Sequence, residues 1–311
     1  MGRGANAQMT LAIMQTKAQH KFHLNRPLKT DILNIFRRVL RLRACENFIA
    51  NKTIRNPRSI WSKFVPPNYL YPLGSVREVI REGIRFELDI SHVVDHYIFF
   101  GLVDSDYTHI KKKIVEAKVI LDIGANMGST SLRFANMNPN ATLYSFEPHP
   151  KTHKRALKNL SLNKHFKVML QEMGLGEKKD TLRLYELNEH NPGMNRILQG
   201  EQGFPYAEIE ISTLDDFVID SHIESIDLIK VDVEGFEYAV LKGGERILKR
   251  IKPVLFLELD DENLRDNGRS AAELIGLLRS YGYQDFVRAD NLVPITENSD
   301  FTCCHFDVII Q

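Results

Sequence analysis

From residue 118 onward, short branched apolar runs alternate with amphipathic stretches, and few architectures tolerate that rhythm. The runs at 118–122, 142–147, 167–173, 226–232 and 253–259 read as strands. The segments near 129–136, 150–162, 236–250 and 270–281 read as helices. Strands and helices in strict alternation predict an α/β fold, a mostly parallel sheet covered on both faces. Two more strand-like pieces, at 181–187 and 207–213, interrupt the pattern. The closing "YQDFVRADN" and "CCHFDVIIQ" predict a hairpin at one edge of the sheet. Upstream, "IRFELDIS" (84–91) predicts a short strand, and "HVVDHYIFFG" and "DYTHIKKKIVEA" predict helices.

The first 70 residues differ in kind. They hold 13 Lys and Arg against two acids, Asp31 and Glu46, a net charge of +11, while the remainder carries −10. The first 25 residues show no period. "TDILNIFRRVLRLR" then predicts a helix capped by Thr30 or Asp31, with Ile32, Phe36, Val39 and Leu40 on one face. Arg37, Arg38, Arg41 and Arg43 fall mostly on the other side. Such a helix either packs its apolar face on the main domain or lies on an anionic membrane surface or nucleic-acid backbone. The proline-rich "NPRSIWSKFVPPNYLYPLG" sets a boundary, giving a basic N-terminal extension (1–74) and a second domain (75–311). No run approaches the roughly 20 apolar residues of a membrane span. Neither a secretory signal nor the myristoylation pattern is evident at the start, and three cysteines make no disulfide framework. The default expectation is therefore cytoplasmic.

The first strand of the alternating region ends in "VILDIGANMGSTSLRFA". Asp122 terminates the apolar run, and Gly124, Asn126 and Gly128 lead into a helix at Ser129. A glycine-bearing turn between strand and helix presents backbone N–H groups and a positive helix end to a ligand. The phosphate-loop pattern G-x-x-x-x-G-K-[ST] is missing, and Asn126 stands where a nicotinamide fingerprint wants its second glycine. Asp122 would be awkward beside a pyrophosphate but suits an ammonium group. Glu147, at the end of the second strand, can accept both cis hydroxyls of a ribose, and Pro148 offers a flat surface to adenine. A helix cap is the plainer role for Glu147. Together these residues point to S-adenosylmethionine, which carries an ammonium and a sulfonium and no phosphate.

At this point the chain resembles a known family. "VILDIGANMGSTSLRFA", "YSFEPHPKTHKRALKNL", "STLDDFV", "IDLIKVDVEGFEYAVLKGGERIL" and "PVLFLEL" are similar in order to the FkbM family of S-adenosylmethionine-dependent methyltransferases, from about residue 85 to the end. The resemblance implies a Rossmann-like class I methyltransferase fold, a seven-stranded sheet with its last strand antiparallel. It also implies O-methylation of hydroxyls on sugars, glycans or secondary metabolites. The basic extension lies outside it.

Within "LIKVDVEGFE", Lys230, Asp232 and Glu234 put three charges on one side of a buried strand, so they must pair, meet solvent or face a ligand. Lys230 is expected to hold one of the acids. Candidate bases for an acceptor hydroxyl are Asp232, then Glu234, then Glu258, with His149 a weaker choice. An alternative is Mg²⁺ on Asp232, Glu258, Asp260 and Asp261, although acids at strand tips more often cap helices, and no metal is assigned. The polar loop 188–200 either covers the acceptor or is a plain hairpin tip. The expected partner is a small-molecule or glycan acceptor. "DVEG" replaces the [DNS]-P-P-[YF] motif of base-amino methyltransferases, which argues against nucleic acid. Methylation of nucleic acid or protein through the basic arm, or a binding module without turnover, remain the alternatives.

Overall fold

The computed structural model describes residues 28–102, 107–185, 196–197, 207–296 and 299–311, without the side chains of 28–33, 185 and 196–197. The chain divides into two compact units, Met1–Pro72 with Phe100–Leu102, and Leu73–Phe99 with Val103–Gln311.

The larger unit is built on a seven-stranded sheet. Its strands are β3 (Val119–Ile123), β4 (Thr142–Phe146), β5 (Val168–Gln171), β10 (Leu228–Val231), β11 (Val254–Asp260), β12 (Phe286–Arg288) and β13 (His305–Ile310). Their spatial order is β12-β13-β11-β10-β3-β4-β5, with β13 alone running antiparallel to its neighbours. This is the expected Rossmann-like class I arrangement. Isolated burial of Ile120, Leu121, Ile229, Val231, Leu255 and Leu257 at 0% exposure shows why the strands read as continuous apolar runs. The order reverses between β3 and β10, so their carboxyl ends diverge and leave a crevice, where ligands of open α/β sheets bind.

Several boundaries differ from the sequence reading. The run at 167–173 ends early, and Gly174–Leu175 (β6) leaves for a second sheet of order β6-β9-β7-β8, with β7 at Asp180–Tyr185, β8 at Arg196–Ile197 and β9 at Ala207–Ser212. The strand expected at 84–91 is Ile84–Asp89 (β2), paired with Val76–Arg81 (β1), which alternation did not reveal. The helix expected over 236–250 is two helices, Glu237–Lys242 and Glu245–Ile251. A Cβ on Gly243 would lie 1.9 Å from the carbonyl oxygen of Gly176, so the chain breaks where two backbones touch. Asp215 of "STLDDFV" then accepts the N–H groups of Arg246 and Ile247 at 3.1 and 2.9 Å, holding the second of these helices. Those two motifs are scaffold for one another.

In the smaller unit, helices Leu28–Val39 and Arg43–Arg55 are followed by short 3₁₀ turns at Ile60–Phe64 and Asn68–Leu70. Helix already runs at Leu28, so Thr30 and Asp31 lie within it and do not cap it. Of the apolar face read from the sequence, Leu40 is partly buried. Phe36 and Val39 are 65% and 63% exposed, while Asn34 on the far side is buried. The polar face does the docking: Asn34 Nδ2 donates to Tyr69 Oη at 3.2 Å, Arg37 to the Lys63 carbonyl at 2.6 Å, and Arg41 to the Leu70 carbonyl. The side chain of Ile32 lies outside the described residues.

Candidate active site

A cavity of about 260 Å³ opens at the carboxyl ends of β3 and β10. The turn after β3 and the loop after β10 form its floor, and their contact explains the first glycine. Gly124 has φ +84°, and a Cβ there would sit 1.8 Å from the Asp232 carbonyl oxygen. Only glycine serves a left-handed residue pressed against a neighbouring backbone. Asn126 is also left-handed (φ 51°), and its N–H donates to Glu147 Oε2 at 2.9 Å. Glu147 Oε1 accepts from the His149 N–H at the same distance. Burial pushes the Glu147 carboxyl up to about 7, against these two hydrogen bonds and the pull of Lys230. The carboxylate thus reaches the cavity wall beside Pro148 with its orientation fixed.

Glu147 does not cap the next helix. His149 does, its Nδ1 accepting the Thr152 N–H at 3.1 Å, with burial and then Lys151 pulling the imidazole down to about 4. A ring held neutral by its surroundings and engaged as a cap has a structural task already.

Asp122 lies behind this wall. It is 0% exposed, and among the described residues the cavity wall includes Gly124, Asn126, Glu147 and Pro148 but neither Asp122 nor Gly128. Parallel register sets Lys230 directly beside Asp122. Lys230 Nζ lies 3.3 Å from Asp122 Oδ1, 3.3 Å from Asp232 Oδ2 and 2.9 Å from the Gly124 carbonyl. Ser131 Oγ donates to Asp122 Oδ2 and lies 2.8 Å from Ser145 Oγ. Burial opposes the charge on Lys230, but Asp232 and Asp122 outweigh it and hold the ammonium above the ordinary lysine value. Asp122 thus anchors the turn through Lys230. Gly128 (φ +84°) serves as the N-cap residue of the helix Ser129–Met137.

Lys230 joins the two loops, and its two acids end in different surroundings. The Asp122 side chain is sealed, whereas that of Asp232 is 43% exposed and lines the cavity. Glu234 lines it too, in a left-handed conformation (φ 53°) with Oε2 accepting from Asn263 Nδ2 at 3.0 Å. Glu237 Oε1 accepts the N–H groups of Val233 and Gly235 at 3.0 and 3.2 Å, which fixes the loop; burial lifts this carboxyl to about 7.

Glu258 completes the acidic side of the wall. Burial, then the charges of Asp232, Glu234 and Glu237, push it far above the usual carboxylate range. A carboxyl raised in this way favours its protonated form, which can donate a hydrogen bond. Asp307 stands opposite it in register and is lifted to about 6 by burial and Asp232. His305 places Nδ1 2.8 Å from Asp260 Oδ2 and Nε2 3.9 Å from Glu258 Oε1. Sequence reasoning missed Phe236, which lines the cavity, and the neighbours of Glu258 on the adjoining strand, His305 and Asp307. Alternation in "HFDV" does put His305 and Asp307 on one face, but without the strand order nothing places that face beside Glu258.

Two of the four acids considered for magnesium, Asp260 and Asp261, are engaged elsewhere. Asp260 caps the helix Asp261–Asp266 through the Asn263 N–H at 2.9 Å, and Asp261 accepts from the Ala271 N–H at 2.9 Å and Arg265 Nε at 2.6 Å. Among the described residues no group of three or more His, Cys, Asp or Glu could hold a metal ion. Loop 188–200 lies outside the described residues except for Arg196–Ile197.

Comparison with known proteins bears on this site. The chain is 28% identical over 177 residues to the 2-O-methyltransferase NoeI of Sinorhizobium fredii, a match covering 52% of this chain and 72% of that one. It is 31% identical over 153 residues to methyltransferase sdnD of Sordaria araneosa, covering 40% of this chain and 59% of sdnD. Among solved structures, methyltransferase FkbM from Methylobacillus flagellatus overlaps 86% of this chain and 59% of its own at 14% identity, with a TM-score of 0.42. The chain thus spans well over half, but not the whole, of these relatives. The sequence profile of the Methyltransferase FkbM domain matches residues 122–284, from the buried aspartate of the turn to the end of the last core helix, and the chain belongs to the FkbM methyltransferase family.

Proposed function

We propose that the cavity binds S-adenosylmethionine and directs its methyl group to a hydroxyl of a small sugar, glycan or secondary-metabolite acceptor. One observation carries the reading. The Glu147 carboxylate, held by the Asn126 and His149 N–H groups, faces a cavity whose floor is a left-handed glycine turn. A carboxylate so fixed keeps lone pairs for two vicinal ribose hydroxyls. Phe146, Pro148 and Leu175 supply apolar wall for the base. With Asp122 sealed, the amino acid end of the ligand is left to the turn at Gly124 and Asn126, which lines the cavity.

The bound donor supplies an activated methyl group. What remains for the protein is to hold the acceptor oxygen in line, exclude water and take a proton. Asp232 is the residue placed to take it. Its side chain lines the cavity, is 43% exposed and is steadied by Lys230 at 3.3 Å, whereas the more buried Glu258 has its carboxyl raised by burial and neighbouring acids. Glu258 is suited to donate to an acceptor oxygen, and Glu234 shapes the rim. The 2-O-methyltransferase named among the relatives supports oxygen as the target. No helix among the described residues is long and apolar enough to cross a membrane.

Incubation with methyl-labelled S-adenosylmethionine and a panel of glycans and polyhydroxylated metabolites tests the proposal. Label is expected in an ether methyl of one acceptor class. Transfer to nitrogen or to nucleic acid, with none to any hydroxyl, contradicts it.

A further inference from the structure

From Asn34 onward, the first helix turns its polar face inward. An amphipathic helix on a water-soluble unit normally buries its apolar stripe and wets its polar face. Here Asn34, Arg37 and Arg41 turn inward onto Tyr69, Lys63 and Leu70, consuming hydrogen-bond donors on the unit's own carbonyl and hydroxyl groups. Ile35, Phe36 and Val39, spaced to share one face, are left 63%, 65% and 63% exposed, and Leu42 just beyond is 63% exposed. Arg38 and Arg43 are exposed at the border of this stripe. Four large apolar side chains in water on a single turn-to-turn surface need an occupant.

Charge chooses the occupant. Residues 1–70 carry +11, so a second copy placed face to face would bring like charges together. A nucleic acid would satisfy the arginines but offers no apolar phase to four aliphatic and aromatic side chains. An anionic bilayer surface offers both phosphates and an acyl boundary. We propose that the N-terminal helical unit docks on an anionic membrane surface, with Ile35, Phe36, Val39 and Leu42 inserted at the acyl boundary and Arg38 and Arg43 on lipid phosphates. The enzyme is then peripheral, and its attachment is reversible and salt-sensitive, because one apolar stripe plus a basic border gives modest affinity.

Sedimentation of the full chain with vesicles of phosphatidylcholine alone, and of phosphatidylcholine mixed with phosphatidylglycerol, tests this. Retention on the mixed vesicles is expected to exceed that on neutral ones by about tenfold or more. The pair Phe36→Asp with Val39→Asp is expected to lower retention by about tenfold or more. Arg38→Gln with Arg43→Gln is expected to lower it by about tenfold on anionic vesicles only. All four positions are exposed, and unchanged circular dichroism of each variant checks folding. Three results overturn the proposal: no retention of the wild type on mixed vesicles, undiminished retention of the Asp pair, or a wild-type dimer that Phe36→Asp converts to monomer.

Discussion

The two units differ in what they leave unusual: one gathers buried charge at a crevice, the other exposes an apolar stripe. The larger one buries charge: Asp122, Lys230, Glu147 and Glu237 are 0%, 5%, 8% and 2% exposed, each with named partners, and all lie at the crevice between β3 and β10. The smaller one keeps Ile49, Val65 and Tyr71 inside together with Asn34, Glu46 and Thr53, yet leaves Ile35, Phe36, Val39 and Leu42 in water. Buried charge is tolerated only where partners compensate it, and exposed apolar surface persists only where something else covers it. The first pattern marks a ligand site, and the second an attachment surface. Substitutions that strike the two patterns should therefore behave differently.

The largest effect is expected at Lys230. Lys230→Met leaves Asp122 sealed without its cation and removes the link between the two loops. Urea unfolding should show a loss of about 3–5 kcal/mol, the cost of an orphaned buried charge. A loss below about 1 kcal/mol would show that the network is loose and that the contrast with the smaller unit is overstated.

Next comes Asp232→Asn, which keeps shape and removes the proton acceptor. Turnover should fall by about a hundredfold or more, while donor affinity changes little. An active Asn variant would remove Asp232 from the chemistry and direct attention to Glu234.

Acidity sharpens the comparison further. Glu147 and Glu237 both have carboxyls lifted from 4.5 to about 7 in the folded protein. A raised carboxyl contributes stability that is fully present below the unfolded value and is lost as pH rises through the folded one. The ligand-free protein should therefore lose thermal stability between about pH 4.5 and pH 8 as these groups ionise. Donor affinity should run the other way, rising through about pH 7 as Glu147 becomes the anion that ribose hydroxyls prefer. Glu147→Gln should flatten that affinity profile.

The smallest effect on folding is expected at Phe36→Asp. An exposed side chain in the smaller unit should change unfolding free energy by no more than about 0.5 kcal/mol. A loss above about 2 kcal/mol would mean that Phe36 belongs to a core.

The sheet was legible in the sequence because strands buried on both faces write themselves as unbroken apolar runs, as in "VILDI" and "VLFLEL". Glu147 and Asp232 were legible too, since a carboxylate ending such a run has few other reasons to be there. Asp122 was placed at the right turn, but its ion-pair partner was not named. Its partner, Lys230, lies 108 positions away and reaches it only through parallel register, which no local pattern encodes. The break at Gly243 was hidden for a related reason, because it depends on the distant Gly176 backbone. The first helix misled most. Its periodicity was read correctly, but periodicity says which residues share a face and not which face points inward. That is decided by Tyr69, Lys63 and Leu70.

Titration calorimetry of S-adenosylmethionine into the wild type and Glu147→Ala tests the central claim most directly. The account predicts one donor per chain for the wild type and a loss of about 1–3 kcal/mol in the variant, from charge-assisted bonds to the ribose. No heat of binding in the wild type, or equal affinity in the two proteins, contradicts it.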